Sequence, residues 1–131
     1  MTRYHKGDVI LVPFPFSDQT TAKKRPAVIV SSDTYNNISQ DIVIMAITGQ
    51  IRSHIGIGEF LIEDWQGAGL LKPSAVKSAI STIEQRLVMK ILGRLSSKDL
   101  FTLTLHKNSE IDSLKLKTLF SKRQETVSNL L

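Results

Sequence analysis

Six short runs of β-branched and other apolar residues, separated by polar connections, place the strongest constraint on this fold. Runs of this length and composition are typical of strands. Proline within the first run makes its second half an edge or a strand exit, because proline cannot donate to a sheet. We therefore predict a mainly β fold in which six mostly antiparallel strands curl into a small barrel. The predicted strands are Val9–Phe16, Pro26–Ser31, Asp41–Thr48, Ile57–Glu63, Ser74–Thr82 and Leu87–Leu95.

Two features refine this prediction. The run Asp41–Thr48 is the most continuously apolar, so we place it centrally with both faces buried. The connections are long and polar, and loops of this kind often carry function. One of them, Ser32–Gln40, is rich in turn-forming residues and is predicted to be a loop.

The sequence pattern changes from strand to helix after Gly93. Ser96 or Ser97 can cap a helix, and Asp99 would lie near its positive end. Leucines at helical spacing extend this amphipathic helix to about Lys107, and a weaker helix follows from about residue 110. We therefore divide the chain into a domain over residues 1–108 and an extension over 109–131, which is helical or partly disordered.

Composition narrows the functional classes. The 131 residues suit one domain, and 17 basic against 12 acidic residues give a net charge of +5, which favours an anionic partner such as nucleic acid. There is no cysteine, so disulfides, cysteine nucleophiles and thiolate metal sites are excluded and a reducing cytoplasm suits the chain. We expect neither a membrane span, since no apolar run reaches 18 residues, nor a secretory signal, since the N-terminus is polar.

Conventional catalytic and metal-binding signatures are missing. His5, His54 and His106 are about fifty residues apart and share no ligand spacing. Gly67-Ala68-Gly69 lacks the lysine and hydroxyl residue of a phosphate-binding loop. The sequence therefore predicts no metal site and no cofactor.

A cluster of three cations, Lys23-Lys24-Arg25, precedes the second predicted strand. One interpretation is a solvated run of charges. The other depends on Arg25, because Pro26 and the strand after it would order the guanidinium, whose rigid fork suits phosphate.

An ordered set of motifs resembles the MazF/PemK (Kid) family of toxins from type II toxin–antitoxin systems. Gly7-Asp8-Val9-Ile10 and, after a polar loop, Arg25-Pro26-Ala27-Val28-Ile29-Val30-Ser31 match its two main motifs. The resemblance covers about residues 6–108. Further matches in the same order are Ile44–Thr48, Gly69–Lys72, Ala75–Ser78 and Leu92–Ser96.

This resemblance implies an SH3-like barrel with a C-terminal helix, forming a homodimer in the cytoplasm. It implies an endoribonuclease that cleaves single-stranded RNA without a metal, leaving 2′,3′-cyclic phosphate and 5′-hydroxyl ends. The second implied partner is a cognate antitoxin protein that covers the RNA groove.

By position, Arg25 matches the family's catalytic arginine and Thr48 its catalytic threonine. Some members carry an arginine and an aspartate where this chain has Lys72 and Ser74. Serine cannot replace a carboxylate as general base, so the proton acceptor is left open among another residue, the phosphate and water. Phe14 is interpreted as a core residue. The expected RNA contacts are Phe16, Lys23, Lys24, Arg52, His54, Lys72, Ser74 and Lys77.

Two alternatives differ in function but keep the barrel. The related CcdB toxins poison DNA gyrase by protein contact through bulky C-terminal residues and lack the arginine–threonine pair. This chain has the pair, and its last residues contain no tryptophan. The other alternative is an inactive RNA-binding module, which the departures at Lys72 and Ser74 leave open.

Overall fold

Six antiparallel strands form one curled sheet, a half-barrel, in the computed structural model, which describes residues 3–14, 23–51 and 59–106. Their order across the sheet is β4-β5-β3-β2-β1-β6. The mainly β class and the interior position of β3 are therefore confirmed. The strands are β1 (Asp8–Phe14), β2 (Lys23–Ile29), β3 (Asp41–Thr48), β4 (Phe60–Leu61), β5 (Ala75–Glu84) and β6 (Lys90–Arg94).

The strand registers determine which residues meet. Strand β5 is longer than predicted and pairs along the whole of β3, from Thr48 opposite Ala75 to Asp41 opposite Glu84. Strand β2 pairs with β3 through Ala27 and Ala46. Continued by two residues, that register sets Arg25 across from Thr48.

Both faces of the sheet are buried against apolar residues. One cluster contains Met45 and Ile47 of β3 and is covered by Leu103 of the C-terminal helix. The other contains Ile42 and Ile44 of β3. Because alternate residues of a strand face opposite sides, β3 supplies both clusters, and none of its residues is exposed. Its predicted double burial is confirmed.

Two predictions about local structure were wrong. The segment predicted as a loop contains a short helix, α1 (Asp33–Ile38), which Ser32 caps by accepting a hydrogen bond from the Tyr35 N–H at 3.1 Å. A 3₁₀ turn, Gln85–Leu87, occupies the predicted start of the last strand, so β6 begins only at Lys90. The 3₁₀ turn forms where the chain leaves β5 and returns to pair with β1.

The predicted C-terminal helix is present as α2, which the structure describes over residues 97–106. Ser96 caps it, since its Oγ accepts the Asp99 N–H at 3.1 Å. The predicted weaker helix and the extension over residues 109–131 lie outside the described residues. No helix in the described part of the chain is long and apolar enough to cross a membrane.

Candidate functional site

A groove of about 330 Å³ lies across one face of four neighbouring strands, β1, β2, β3 and β5. Residues two apart in a strand share a face, and each of these strands contributes such a pair. Alanine side chains form part of the floor, and polar or charged side chains rise around it. The lining residues are Val12, Phe14, Arg25, Pro26, Ala27, Ala46, Ile47, Thr48, Lys77 and Ala79.

Arg25 reaches the groove from β2 and is exposed. Its guanidinium carbon lies 5.2 Å from the centre of the Phe14 ring, which is cation–π geometry. The interpretation of Phe14 as a core residue was wrong, since 45% of this residue is exposed. Phe14 stands at the end of β1, where the sheet no longer covers it, and its ring is available to Arg25.

Thr48 is the last residue of β3 and contributes a hydroxyl to the same groove. Its Oγ1 accepts a hydrogen bond from the Gln50 N–H at 3.1 Å. This bond fixes the oxygen and leaves the hydroxyl hydrogen available to an acceptor in the groove. Arg25 and Thr48 therefore present a fixed charge and a neutral donor to one space.

Three predicted lysines belong to strands that form this groove. Lys77 of β5 is exposed and lines it. Lys23 and Lys24 begin β2 and are both exposed. The two-residue period of the strand places Lys23 on the same face as Arg25 and Lys24 on the opposite face. The structure thus brings Lys77 to the groove and Lys23 to its edge.

Lys72 and Ser74 belong to the turn before β5 and have different surroundings. Ser74 is 5% exposed, and its hydroxyl donates to the Lys72 carbonyl at 2.9 Å. Lys72 is exposed, and its side chain crosses the backbone at Gly49, one residue after Thr48. Ser74 therefore braces the turn, while Lys72 lies at the end of β3.

The other predicted contacts, Phe16, Arg52 and His54, lie outside the described residues. Among the residues that the structure describes, no group of three or more histidine, aspartate or glutamate side chains could hold a metal ion. The described lining of the groove likewise contains no carboxylate and no imidazole.

A larger cavity, of about 610 Å³, lies at the opposite end of β3 and β5. It is bordered by α1, Arg3 and the 3₁₀ turn. The Gln85 amide donates there to the carbonyls of Asn36 at 2.7 Å and Ser39 at 3.0 Å, which attaches α1 to the sheet. None of the predicted site residues that the structure describes borders this cavity.

Sequence reasoning missed the alanine floor and the passage of the Lys72 side chain over the backbone at Gly49. Ala27, Ala46 and Ala79 each occupy a position in a strand where a larger side chain would fill the groove. The sequence does show an alanine in each of three predicted strands. These alanines indicate a groove only when the strand order shows that the strands are neighbours.

Comparison with known proteins identifies the family. A model described as PemK-like, MazF-like toxin of type II toxin–antitoxin system matches residues 5–106. No match is found among curated protein sequences.

Several solved structures share the fold. The Mycobacterium tuberculosis toxin MazF-mt6 has a TM-score of 0.65 at 18% identity, over 80% of this chain and 96% of its own. MazF from Deinococcus radiodurans has a TM-score of 0.66 at 14% identity, over 86% and 99% of the two chains. An endoribonuclease in complex with its cognate antitoxin, from a mycobacterial species, has a TM-score of 0.64 at 14% identity, over 86% and 96%. With the family match over residues 5–106, the resemblance seen in the motifs is confirmed, and the chain belongs to the PemK-like, MazF-like toxins of type II toxin–antitoxin systems.

Proposed function

We propose that this toxin is a sequence-specific endoribonuclease that cleaves single-stranded RNA without a metal, leaving 2′,3′-cyclic phosphate and 5′-hydroxyl ends. The observation that carries the proposal is the meeting of Arg25 and Thr48 in one groove over a floor of small residues. A phosphate in this groove would meet a guanidinium and a hydroxyl donor together. The shallow floor leaves room for a nucleotide backbone.

The proposed reaction breaks one bond and forms another at the same phosphorus. The 2′-oxygen bonds to the adjacent phosphorus, the bond to the 5′-oxygen breaks, the 2′-hydroxyl loses a proton and the 5′-oxygen gains one. Arg25 neutralises charge on the phosphoryl oxygens, and Thr48 donates a hydrogen bond to one of them. Arginine stays protonated, so it serves as a clamp and not as the base.

The proton acceptor in this scheme is left open among another residue, a phosphate oxygen and a water molecule. The described lining of the groove offers no carboxylate or imidazole for this purpose. Ser74 is buried beneath the turn and does not take the part of a carboxylate base.

RNA would extend beyond the groove over the surrounding cations. We propose that Lys77 and Lys72 contact phosphates beside the reacting one, and that Lys23 and Lys24 do so at the start of β2. Phe16, Arg52 and His54 are proposed contacts on the basis of their positions in the predicted loops alone. Ser74 acts in this scheme by holding the turn that carries Lys72.

The partners follow from the same proposal. We propose a cytoplasmic homodimer that a cognate antitoxin inhibits by covering the groove. Residues 1–108 form the toxin domain, and residues 109–131 form an extension to it. The endoribonuclease from a mycobacterial species, which was solved in complex with its antitoxin, supports an antitoxin partner for this chain.

The test is incubation of a long single-stranded RNA with the purified protein in EDTA, followed by mapping of the product ends. We expect discrete cuts that end in cyclic phosphate. Arg25→Ala should abolish them, and Thr48→Val, which keeps the shape but removes the hydroxyl, should slow them about 100-fold, as loss of one such donor does elsewhere. Arg3→Ala is the charge-matched control, because Arg3 borders the distant cavity.

Two results would overturn the proposal. Intact RNA, or cleavage only after magnesium is added, would exclude metal-independent catalysis. RNA binding without cleavage would then favour the inactive RNA-binding module, and absence of both would favour a protein target such as gyrase. Equal loss of binding and cleavage in Arg25→Ala would reduce Arg25 to a phosphate contact.

A further inference from the structure

Gly49 follows β3 directly, and its backbone does not require glycine. The glycines with positive φ in the described residues are Gly7 and Gly69, so Gly49 has a conformation that alanine can adopt. The reason for a glycine here therefore lies in the space beside its Cα.

The Lys72 side chain lies in that space. A Cβ at Gly49 would collide with the Lys72 side chain, lying 2.9 Å from Nζ and 3.1 Å from Cδ, with Cε nearer still. The three nearest atoms all belong to Lys72. Because Gly49 has no side chain, the end of the Lys72 side chain can lie against the backbone at this position.

Lys72 is held at its backbone as well. The Ser74 hydroxyl donates to the Lys72 carbonyl at 2.9 Å, and the Ser74 carbonyl accepts the Ile62 N–H at 3.0 Å. No carboxylate within the described ranges pairs with the Lys72 ammonium. The charge therefore lies near the end of β3 and has no described partner to neutralise it.

We infer that Gly49 is a positioning residue, which holds the Lys72 ammonium beside the Thr48–Gly49 peptide as a contact for an RNA phosphate next to the groove. The inference rests on the proposed function. An ammonium is a point charge on a flexible stem, unlike the rigid fork of arginine, so its position must come from what confines the stem. A confined stem also loses less conformational freedom when RNA binds.

Gly49→Ala tests this idea without changing Lys72 itself. The three atoms nearest to the new methyl group all lie at the far end of a flexible side chain, so the fold should survive and the ammonium should move. The matched variant is Lys72→Met, which keeps an unbranched stem and removes the charge. Affinity for a single-stranded RNA with 2′-O-methyl groups, which lack the nucleophile, is measured by fluorescence anisotropy across a range of salt concentrations.

We expect each single variant to weaken binding about tenfold, the order of one charged contact. Each should make the slope of log affinity against log salt shallower by about 0.7, the value for one phosphate on a single strand. The double variant should bind RNA with the same affinity as Lys72→Met, because Gly49→Ala has no ammonium left to displace once Lys72 is replaced. The unfolding midpoint of Gly49→Ala should equal or exceed that of wild type.

Additive losses in the double variant would overturn the inference, since Gly49 would then act independently of Lys72. An unchanged salt slope in Gly49→Ala would overturn it too. If the wild type binds RNA but leaves cleavable RNA intact, the proposed catalysis fails while this comparison still decides the role of Gly49. If the wild type binds no RNA, both proposals are wrong.

Discussion

At the scale of single residues, the Phe14 ring contacts the arginine on which the proposed chemistry depends. The Arg25 guanidinium carbon lies 5.2 Å from the ring centre. Phe14→Leu keeps an apolar side chain but removes the ring face, so the guanidinium should lose its orientation. We expect kcat/KM for RNA cleavage to fall about fivefold, on the order of one exposed cation–π contact. Phe14→Tyr, which keeps the ring, should retain the wild-type kcat/KM.

The stability of the two variants separates this role from a structural one. Because 45% of Phe14 is exposed, Phe14→Leu should change the free energy of unfolding by less than about 1 kcal/mol. Wild-type activity in Phe14→Leu, or a loss of activity that parallels a loss of folded protein, would contradict the orienting role.

The sequence could predict Arg25 and Thr48 because each stands in a motif. It could not predict the partner of Arg25. Phe14 lies opposite Lys23 in the β1–β2 register, and only that register shows that the ring faces the groove. The contact between Gly49 and Lys72 joins residues far apart in the sequence, so no local pattern indicates it.

At the scale of elements, a buried carboxylate connects α2 to the segment after β4. Asp99 is 1% exposed and accepts the N–H groups of Glu63 and Asp64, each at 3.0 Å. Asp99→Ala would leave these donors without an acceptor. We expect the free energy of unfolding, measured in urea, to fall by about 3 kcal/mol, since hydrogen bonds to a buried charge are costly to remove.

Ser96→Ala provides the comparison for Asp99→Ala. Ser96 caps the same helix through the Asp99 N–H, and loss of a cap usually costs about 1 kcal/mol. The Ser96 hydroxyl also donates to the Asp99 carboxylate at 3.1 Å, so the helix start is perturbed in both variants. The connection to Glu63 and Asp64 is broken only in Asp99→Ala. Equal losses would mean that Asp99 contributes through capping alone.

The elements themselves were largely predictable, and the exception has a physical cause. The strand runs and the cap of α2 are local signals. Helix α1 has only six residues and depends on distant groups. Asn36 within it is 5% exposed and donates to the Tyr4 carbonyl, and the Gln85 amide binds its end. Sequence periodicity does not reveal hydrogen bonds between residues that are far apart in the chain. A short helix that depends on them therefore has the sequence pattern of a loop.

At the scale of the whole molecule, one surface pair should make stability depend on acid pH. His5 Nδ1 lies 3.0 Å from one Asp33 oxygen, and the Lys6 N–H donates to the other at 2.9 Å. These hydrogen bonds, the His5 one foremost, lower the pKa of Asp33 below its usual 3.8. The stabilisation is therefore complete above that pH and is lost as pH falls through the lowered pKa.

Asp33→Asn tests this dependence. At pH 7 it should lower the free energy of unfolding by up to about 1 kcal/mol, a modest value because the pair is exposed to solvent. The difference from wild type should shrink at a pH below 3.8, because Asp33 of the wild type loses its charge as the pH falls through its lowered pKa. Urea unfolding at pH 7 and at the lower pH measures this difference in the free energy of unfolding. A difference that stays constant would contradict the contribution assigned to the charge of Asp33.

The distribution of charge over the molecule allows a last prediction. The chain carries a net charge of +5, yet we expect RNA affinity to depend on the cations at the groove. Each phosphate neutralised on a single strand contributes about −0.7 to the slope of log affinity against log salt. Lys77→Ala should therefore make the slope shallower by about 0.7, because Lys77 lines the groove. Arg3→Ala removes the same charge beside the distant cavity and should leave the slope unchanged. Equal changes of the salt slope in the two variants would mean that RNA affinity depends on the overall charge of the protein. The groove would then not be the RNA-binding surface.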